Sequence, residues 1–498
     1  MVSIVADRYS DEEIRTYYEN GAWVEGSFFD LVERQAEKRG SEVFVFDDST
    51  SLTFGEFRDR AIRLAVGLRR LGLEKGDRVA VQLPNWTEFA VIAAAVSRIG
   101  CVIVPIMPIY RDDEVGYVLT HSGARVAVTC STFKGFDHAA MFARLRAQCP
   151  NLAEIVVART SEETHESAIP LESLCATGSP ERIASELGPD THPDDGFLIV
   201  YTSGTTARPK GCYHTVNTVR ASAIAIAESL NFSESDVQFG PSPITHSRGL
   251  MTSVILPLLV GAKSYLMEAW NPEAGLDRIA QHGCTVTVTA TAFLQMLLTA
   301  YDPARHETGS MRLWVCAGSP IPGSVVDRAR ETLPACHVLS LYGRSESFLN
   351  AMCTLHDDPR LSSTTDGRAL GGASLRVVGT DGRVLPRGEE GDIAYRGPSH
   401  MLEYYRDPEQ TAALFTDEGY SRSGDLGYMD NDGYVRVTGR TKDIVIRGGL
   451  NISARELEDL LIGHPFIADV AVVGMPDERL GEKVCASSSP ERDTVRLR

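Results

Sequence analysis

Phe197-Leu-Ile-Val-Tyr201 runs directly into Thr202-Ser203-Gly204-Thr205-Thr206-Ala207-Arg208-Pro209-Lys210-Gly211. The first five residues form a short apolar run rich in aromatic and aliphatic side chains, the pattern of a strand buried on both faces. Of the ten that follow, the first six are small, hydroxylic or glycine, and Arg208, Pro209, Lys210 and Gly211 close the run. Successive Ser and Thr hydroxyls and glycine amides can follow phosphate oxygens, while Lys210 adds a point charge. The loop is not a GxxxxGK[ST] loop. Standing alone, a hydroxyl-rich loop is as readily a flexible connector; its place straight after a buried strand favours phosphate.

Outward from this stretch the chain alternates between strand and helix patterns. Thr53 and Glu56 read as a capping box before a helical apolar stripe over residues 57–73. Arg78–Leu83 reads as a strand, Glu88–Ile99 as an apolar helix and Cys101–Pro105 as a strand. A further helix ends near Leu119, and Ala124–Thr129 is again a strand. Such alternation argues for mainly parallel sheets covered by helices, an α/β fold. Residues 159–195 are polar and read as a surface excursion. Downstream, Trp314–Gly318 and His337–Leu341 are short strands ending in glycine-containing loops. From Gly391 to Thr438 short strands with DG-type turns suggest a small β-rich subdomain.

The 498 residues exceed one ordinary core, so at least two domains are expected. Lysine and arginine number 49 against 67 aspartates and glutamates, a net charge of −18. That balance argues against nucleic acid and against an anionic membrane surface. A polyphosphate would have to be held by local donors. The ten cysteines are scattered singly, without CxxC or a zinc-type spacing, and read as reduced and mostly buried. The N-terminus has no apolar signal segment, and the longest apolar stretch, Met251–Ala262, is too short to span a bilayer. The cytoplasm is the expected compartment.

The 202–211 loop resembles the phosphate loop of the adenylate-forming superfamily, which holds acyl-CoA synthetases, peptide-synthetase adenylation domains and luciferases. It departs from that pattern at Ala207, where the family has glycine. Leu52-Thr53-Phe54, Val104-Pro105-Ile106 and the 113–119 helix resemble the family's N-terminal signatures, and the likeness continues in order from about residue 25 to 485. Tyr342-Gly343-Arg344-Ser345-Glu346 is similar to the family's YGxTE box. The resemblance implies Tyr342 against adenine, Ser345 near the α-phosphate and Glu346, with Thr205, on Mg²⁺. Gly318 and Ser319, in Ala317-Gly-Ser-Pro320, resemble the stretch that walls the adenine. Ser423-Gly-Asp-Leu-Gly427 is similar to the family's TGDxG, which implies that Asp425 binds the ribose hydroxyls with Arg440 beside it.

His246, in Pro243-Ile-Thr-His-Ser-Arg-Gly249, matches the family position that borders the substrate carboxylate, although a lone histidine is more often structural. The resemblance places the acyl pocket at His246, Gly249, Met251, Thr291, Phe293, Ala317, Gly318 and Phe348. With small residues at several of these points and no fixed countercharge noted, a bulky hydrophobic acid is expected. Lys210, His246, Glu346 and Arg440 are the expected catalytic groups, ATP and Mg²⁺ the expected cofactors, and CoA a possible co-substrate.

Residues 1–440 read as the adenylate-forming domain, and 441–498 as a C-terminal lid that opens after a hinge at Lys442. The lid begins with a strand at Ile444–Ile446, a capping box at Ser453 and Glu456, and a strand at Asp469–Gly474. It then reads as a tail without apolar periodicity, and Lys483, the one lysine after the hinge, lacks the context of the family's late catalytic lysine. A truncated lid is therefore expected, with acyl-AMP formed but thioesterification impaired, and a second ligase or a carrier completing that step. Two alternatives stand beside this: a complete acyl-CoA ligase, and a non-catalytic nucleotide-binding protein.

Overall fold

The computed structural model describes residues 4–160, 168–188, 191–202, 208–447, 450–462, 464, 466–477 and 479–490. Two eight-stranded sheets form the body of the molecule. In the first, His337–Tyr342, Leu313–Ala317, Val286–Ala290, Val237–Gly240, Lys263–Leu266 and Val43–Phe46 run parallel, with short antiparallel strands at both edges. In the second, Gly196–Tyr201, Val102–Pro105, Arg78–Gln82, Val126–Cys130, Glu154–Ala158 and Ile169–Pro170 are parallel. Gly211–Thr215 and Glu403–Tyr404 close that sheet as antiparallel edge strands.

The largest core lies between the sheets and is filled by helices Phe28–Arg39, Phe54–Arg70, Thr87–Arg98 and Val216–Ser229. Thr87–Arg98 is buried all round, as a helix covered by sheet on both sides must be. The capping box is made as the sequence indicates: Glu56 N donates to Thr53 Oγ1 at 3.1 Å and Thr53 N to Glu56 Oε2 at 2.9 Å. Two further cores, under helices Pro272–His282 and Gly323–Thr332 and under Asp112–Ser122 and His138–Arg146, cover the outer faces.

The polar stretch 159–195 is more than surface excursion. Its described part carries buried Leu171, Ala176, Ile183 and Leu187, which pack into the main core. Gly67 makes room for it, since a Cβ there would overlap the Leu174 carbonyl. A few apolar residues at irregular spacing left no periodic signal for this packing. The apolar run from Met251 forms one wide π-helical turn, Met251–Ile255, continued by α-helix Leu256–Val260. Among the described residues no helix is long and apolar enough to cross a membrane. All ten cysteines are free, eight of them buried.

An antiparallel sheet of Ser374–Val378, Gly391–Arg396, Ser421–Met429 and Val435–Arg440 forms the small subdomain. One turn of 3-10 helix, Thr441–Asp443, leads from it into the C-terminal part. There Leu450–Ser453, Ile444–Arg447, Gly481–Pro490 and Ile467–Asp477 make an antiparallel sheet beside helix Ala454–Ile462. The stretch Gly481–Pro490, read from sequence as the start of a structureless tail, instead pairs along Ile467–Asp477 in a long hairpin. Its serines hide the β pattern because its side chains stay largely exposed. Ser453 Oγ donates to Thr438 O at 3.0 Å and ties this sheet to the subdomain.

Candidate active site

The sequence motifs converge beyond the carboxyl ends of the parallel strands, where ligands of open α/β sheets bind. Strand Gly196–Tyr201 delivers Thr202, whose N donates to Lys210 O at 2.9 Å and closes the base of the 202–211 loop. Ser203, Gly204, Thr205, Thr206 and Ala207 lie outside the described residues.

Strand His337–Tyr342 delivers the next group. Tyr342 Oη donates to Asp425 Oδ2 at 2.6 Å, and Arg440 Nε donates to Asp425 Oδ1 at 2.8 Å. Asp425 and Arg440 are direct cross-strand partners, so the ladder sets their meeting. Asp425 is buried, whereas Arg440 is largely exposed. The Asp425 charge raises the Arg440 pKa; burial, then Asp425, pushes the Tyr342 phenol well above its usual value. The turn before Asp425 is pinned by Asp392, whose Oδ1 accepts from Gly424 N at 3.0 Å. Gly424 adopts φ +72°, a conformation open to glycine.

Glu346 Oε1 accepts from Tyr404 Oη at 2.6 Å, and the Lys210 ammonium lies 4.6 Å from the centroid of the same ring. Between these groups sits Arg344, donating to Arg422 O at 2.8 Å, to Ser421 O at 3.2 Å and to Ser421 Oγ. Burial lowers the Arg344 pKa, but Glu346, Tyr342, Tyr404 and Asp425 outweigh it, and the net shift is upward. Arg344 thus bolts the 342–346 turn to the subdomain strand. Ser345 presents its carbonyl to His214 Nε2 at 2.8 Å, and burial lowers the His214 pKa to about 4.

Glu346 is half-buried, and among the described residues its side chain is hydrogen-bonded through Oε1 alone. A hard carboxylate oxygen beside a phosphate loop suits Mg²⁺, which keeps waters and takes substrate phosphates as ligands. No cluster of three or more metal-ligating side chains occurs among the described residues, so the donor set fits a shared protein–phosphate site and not an all-protein cage.

Of the expected pocket residues, Gly249 lies on helix Ser247–Leu250, His246 and Met251 flank it, and Gly318 lies against its Arg248. His246 caps that turn, accepting from Arg248 N at 3.4 Å, and burial lowers its pKa to about 4, so it is a neutral imidazole at neutral pH. Gly249 packs on the Pro243–Ile244 backbone with no space for a side chain. Thr291 Oγ1 donates to Ser319 O at 3.1 Å, joining the start of helix Thr291–Ala300 to the loop after strand Leu313–Ala317. Met251 and Ala317 are fully buried, and Phe293 lies against Trp270 with ring centroids 4.9 Å apart. Phe348 holds φ +47°, unusual for a bulky residue, and packs edge-on to His214 at 4.7 Å. A Cβ on Gly343 would overlap the Phe348 carbonyl, so this glycine is required for the turn.

One pocket expectation needs correcting. The sequence showed no fixed countercharge, yet the Arg248 guanidinium lies against Gly318, 2.9–3.4 Å from where a Cβ would stand. Gly318 has φ +88° and no side chain, which makes the space. Sequence reasoning also passed over Arg344, Tyr404 and His214. Tyr404 meets Glu346 only through tertiary pairing.

A family model described as AMP-binding enzyme matches residues 32–405, about three-quarters of the chain. The chain belongs to the AMP-binding enzyme family. It is an ATP-binding ligase of the acyl-CoA synthetase kind that adenylates a carboxylic acid. A medium-chain fatty-acid–CoA ligase of Escherichia coli (strain K12) is 36% identical over 480 residues, covering 96% of this chain and 83% of that one. A salicyl-AMP ligase / salicyl-S-ArCP synthetase of Mycobacterium tuberculosis is 32% identical, over 95% of this chain and 83% of that one. Among solved structures, ATP-bound MatB from Rhodopseudomonas palustris superposes with a TM-score of 0.81 at 29% identity, covering 93% of this chain and 89% of that one.

A second model, described as AMP-binding enzyme C-terminal domain, matches residues 456–497. The family's C-terminal domain is therefore present, which removes the ground for expecting an impaired second half-reaction in this AMP-binding enzyme. Only the last strand, Gly481–Pro490, is serine-rich and carries few apolar side chains, so the end of the domain left little pattern in the sequence.

Proposed function

We propose that the protein is an acyl-CoA ligase acting in two steps at this one site. In the first, a carboxylate oxygen attacks the α-phosphorus of ATP, the bond to the bridging oxygen breaks, and pyrophosphate leaves. In the second, the CoA sulfur attacks the acyl carbon, the acyl–oxygen bond breaks, AMP leaves, and the thiol proton passes to solvent. The observation that carries the reading is Asp425, held from both sides by Tyr342 and Arg440 at the sheet's carboxyl edge. A buried carboxylate so positioned suits both hydroxyls of a ribose.

Lys210 and the 202–211 loop would hold the phosphates, and Ser345 would lie near the α-phosphate. Mg²⁺, which neutralises phosphate charge when bound, would sit on Glu346 with Thr205. Tyr342, Gly318 and Ser319 would wall the adenine. His246, neutral at working pH, would border the reacting carboxylate without adding charge. Such fixed charges and dipoles lower the barrier by orientation and by stabilising developing charge. Residues 1–440 would form the adenylating domain and 441–498 the mobile lid, turning about Lys442.

The test is to incubate the protein with ATP, Mg²⁺, CoA and a panel of acids, following acyl-AMP and acyl-CoA separately. Acid-dependent acyl-CoA formation by the protein alone is the expected result. Acyl-AMP without thioester would sink the second step, and no acid-dependent pyrophosphate release would sink the first.

A further inference from the structure

We propose that the Arg248 guanidinium is an anion anchor inside the acyl pocket, so that the acid activated here carries a second carboxylate at its far end. This rests on the ligase reading above and names its substrate class. Arg248 stands on the short turn Ser247–Leu250, between His246 and Gly249, and its guanidinium packs on Gly318. These are the residues that the ligase reading places around the acid.

Among the described residues the Arg248 guanidinium makes no hydrogen bond, no ion pair and no cation–π contact. The polar contacts of the residue are made by its backbone: Arg248 N donates to His246 Nδ1, and Arg248 O accepts from Thr252 Oγ1 and Met251 N. The contrast with other partly covered arginines is sharp. Arg39 is paired with Glu234, Arg159 with Asp47 and Glu88, and Arg312 with Asp236. Burial lowers the Arg248 pKa, and no carboxylate acts on it to oppose that.

A cation withdrawn from water without a partner costs several kcal/mol in effective terms. An apolar acyl tail would bury this charge further and offer nothing in return. A terminal carboxylate would offer two parallel oxygens to the planar guanidinium, the bidentate geometry that favours arginine over lysine. The floor under the guanidinium is also made for it: any side chain at position 318 would occupy its place.

The experiment measures acid-dependent ATP–pyrophosphate exchange with matched unbranched acids, from propanoate against malonate to octanoate against octanedioate. The expected result is a dicarboxylate preferred about tenfold or more in kcat/KM over its monocarboxylate partner, the scale of a hydrogen bond to a charged group. Arg248→Leu should reduce that ratio about tenfold or more, and Arg248→Lys should keep part of it. Equal loss on both acids would place Arg248 on the reacting carboxylate, and a raised KM for ATP with unchanged acid preference would place it on the nucleotide. Either result overturns the proposal, as does a wild-type preference for monocarboxylates. If no acid supports exchange, the ligase reading fails, and calorimetric titration of the dicarboxylates then decides the anchor alone. Binding by wild type that Arg248→Leu abolishes supports it; equal binding, or none, overturns it. A urea midpoint close to wild type confirms that Arg248→Leu is folded.

Discussion

The Tyr404 hydroxyl donates to Glu346 Oε1 at 2.6 Å while the same ring carries the Lys210 ammonium 4.6 Å from its centroid. Tyr404 lies on an edge strand paired antiparallel with Gly211–Thr215, the strand that leaves the 202–211 loop. One ring therefore couples the end of that loop to the carboxylate proposed for Mg²⁺. Glu346→Gln keeps the volume and removes the charge. It should lower pyrophosphate exchange by about two orders of magnitude or more, in the range seen when one transition-state stabiliser is lost. Tyr404→Phe should cost only several-fold, since Glu346 keeps its charge. Exchange rates of the two variants, beside unchanged circular dichroism, check both; wild-type exchange in Glu346→Gln would remove Glu346 from the metal role.

Asp425→Ala should weaken ATP binding by roughly 1.5–3 kcal/mol, the value of hydrogen bonds to a charged group. It should also destabilise the fold by about 1–3 kcal/mol, because the buried Tyr342 hydroxyl loses its acceptor. Calorimetric ATP titration and a urea midpoint separate the two effects. Unaltered ATP affinity would make the Ser423–Gly427 turn purely structural.

What the sequence made legible follows from range. Strand Gly196–Tyr201, the Thr53–Glu56 cap and the Asp425–Arg440 pair rest on local patterns, periodicity and motif spacing, and each is found where the sequence puts it. Arg248, Arg344 and Tyr404 acquire their roles from neighbours tens to hundreds of residues away, which no local window contains. The serine-rich strand Gly481–Pro490 failed for another reason: pairing with Ile467–Asp477 and not apolar alternation defines it. The segment after residue 168 likewise depends on a partner, the bare Gly67 position on a distant helix.

That close approach gives a stability prediction. Gly67→Ala improves helix propensity on Phe54–Arg70 by about 1 kcal/mol. The new Cβ would nonetheless overlap the Leu174 carbonyl, and backbone cannot give way as a flexible side chain would. Overpacking of this kind costs about 1–3 kcal/mol or more, so the urea midpoint should fall despite the better propensity. A raised midpoint would mean that Leu171–Leu174 does not sit against this helix in solution.

Acid should weaken the fold through its buried histidines. His214, bonded to Ser345 O and Thr218 Oγ1, and His138, bonded to Gln82 Oε1, both have pKa values lowered by burial to about 4. An unfolded histidine titrates near 6.5. Between those values the unfolded chain binds more protons than the folded one, so stability falls as pH drops through this window and is fully present above about 6.5. From neutral pH to about pH 5, each histidine should account for a loss of about 2 kcal/mol, at 1.36 kcal/mol per pKa unit. His214→Gln cannot take up that proton. Its urea stability should be below wild type at neutral pH, where the ring's packing on Phe348 and its bond to Ser345 are lost, and the deficit should shrink by about 2 kcal/mol at pH 5. A deficit that stays constant across the window would show that His214 does not titrate with unfolding.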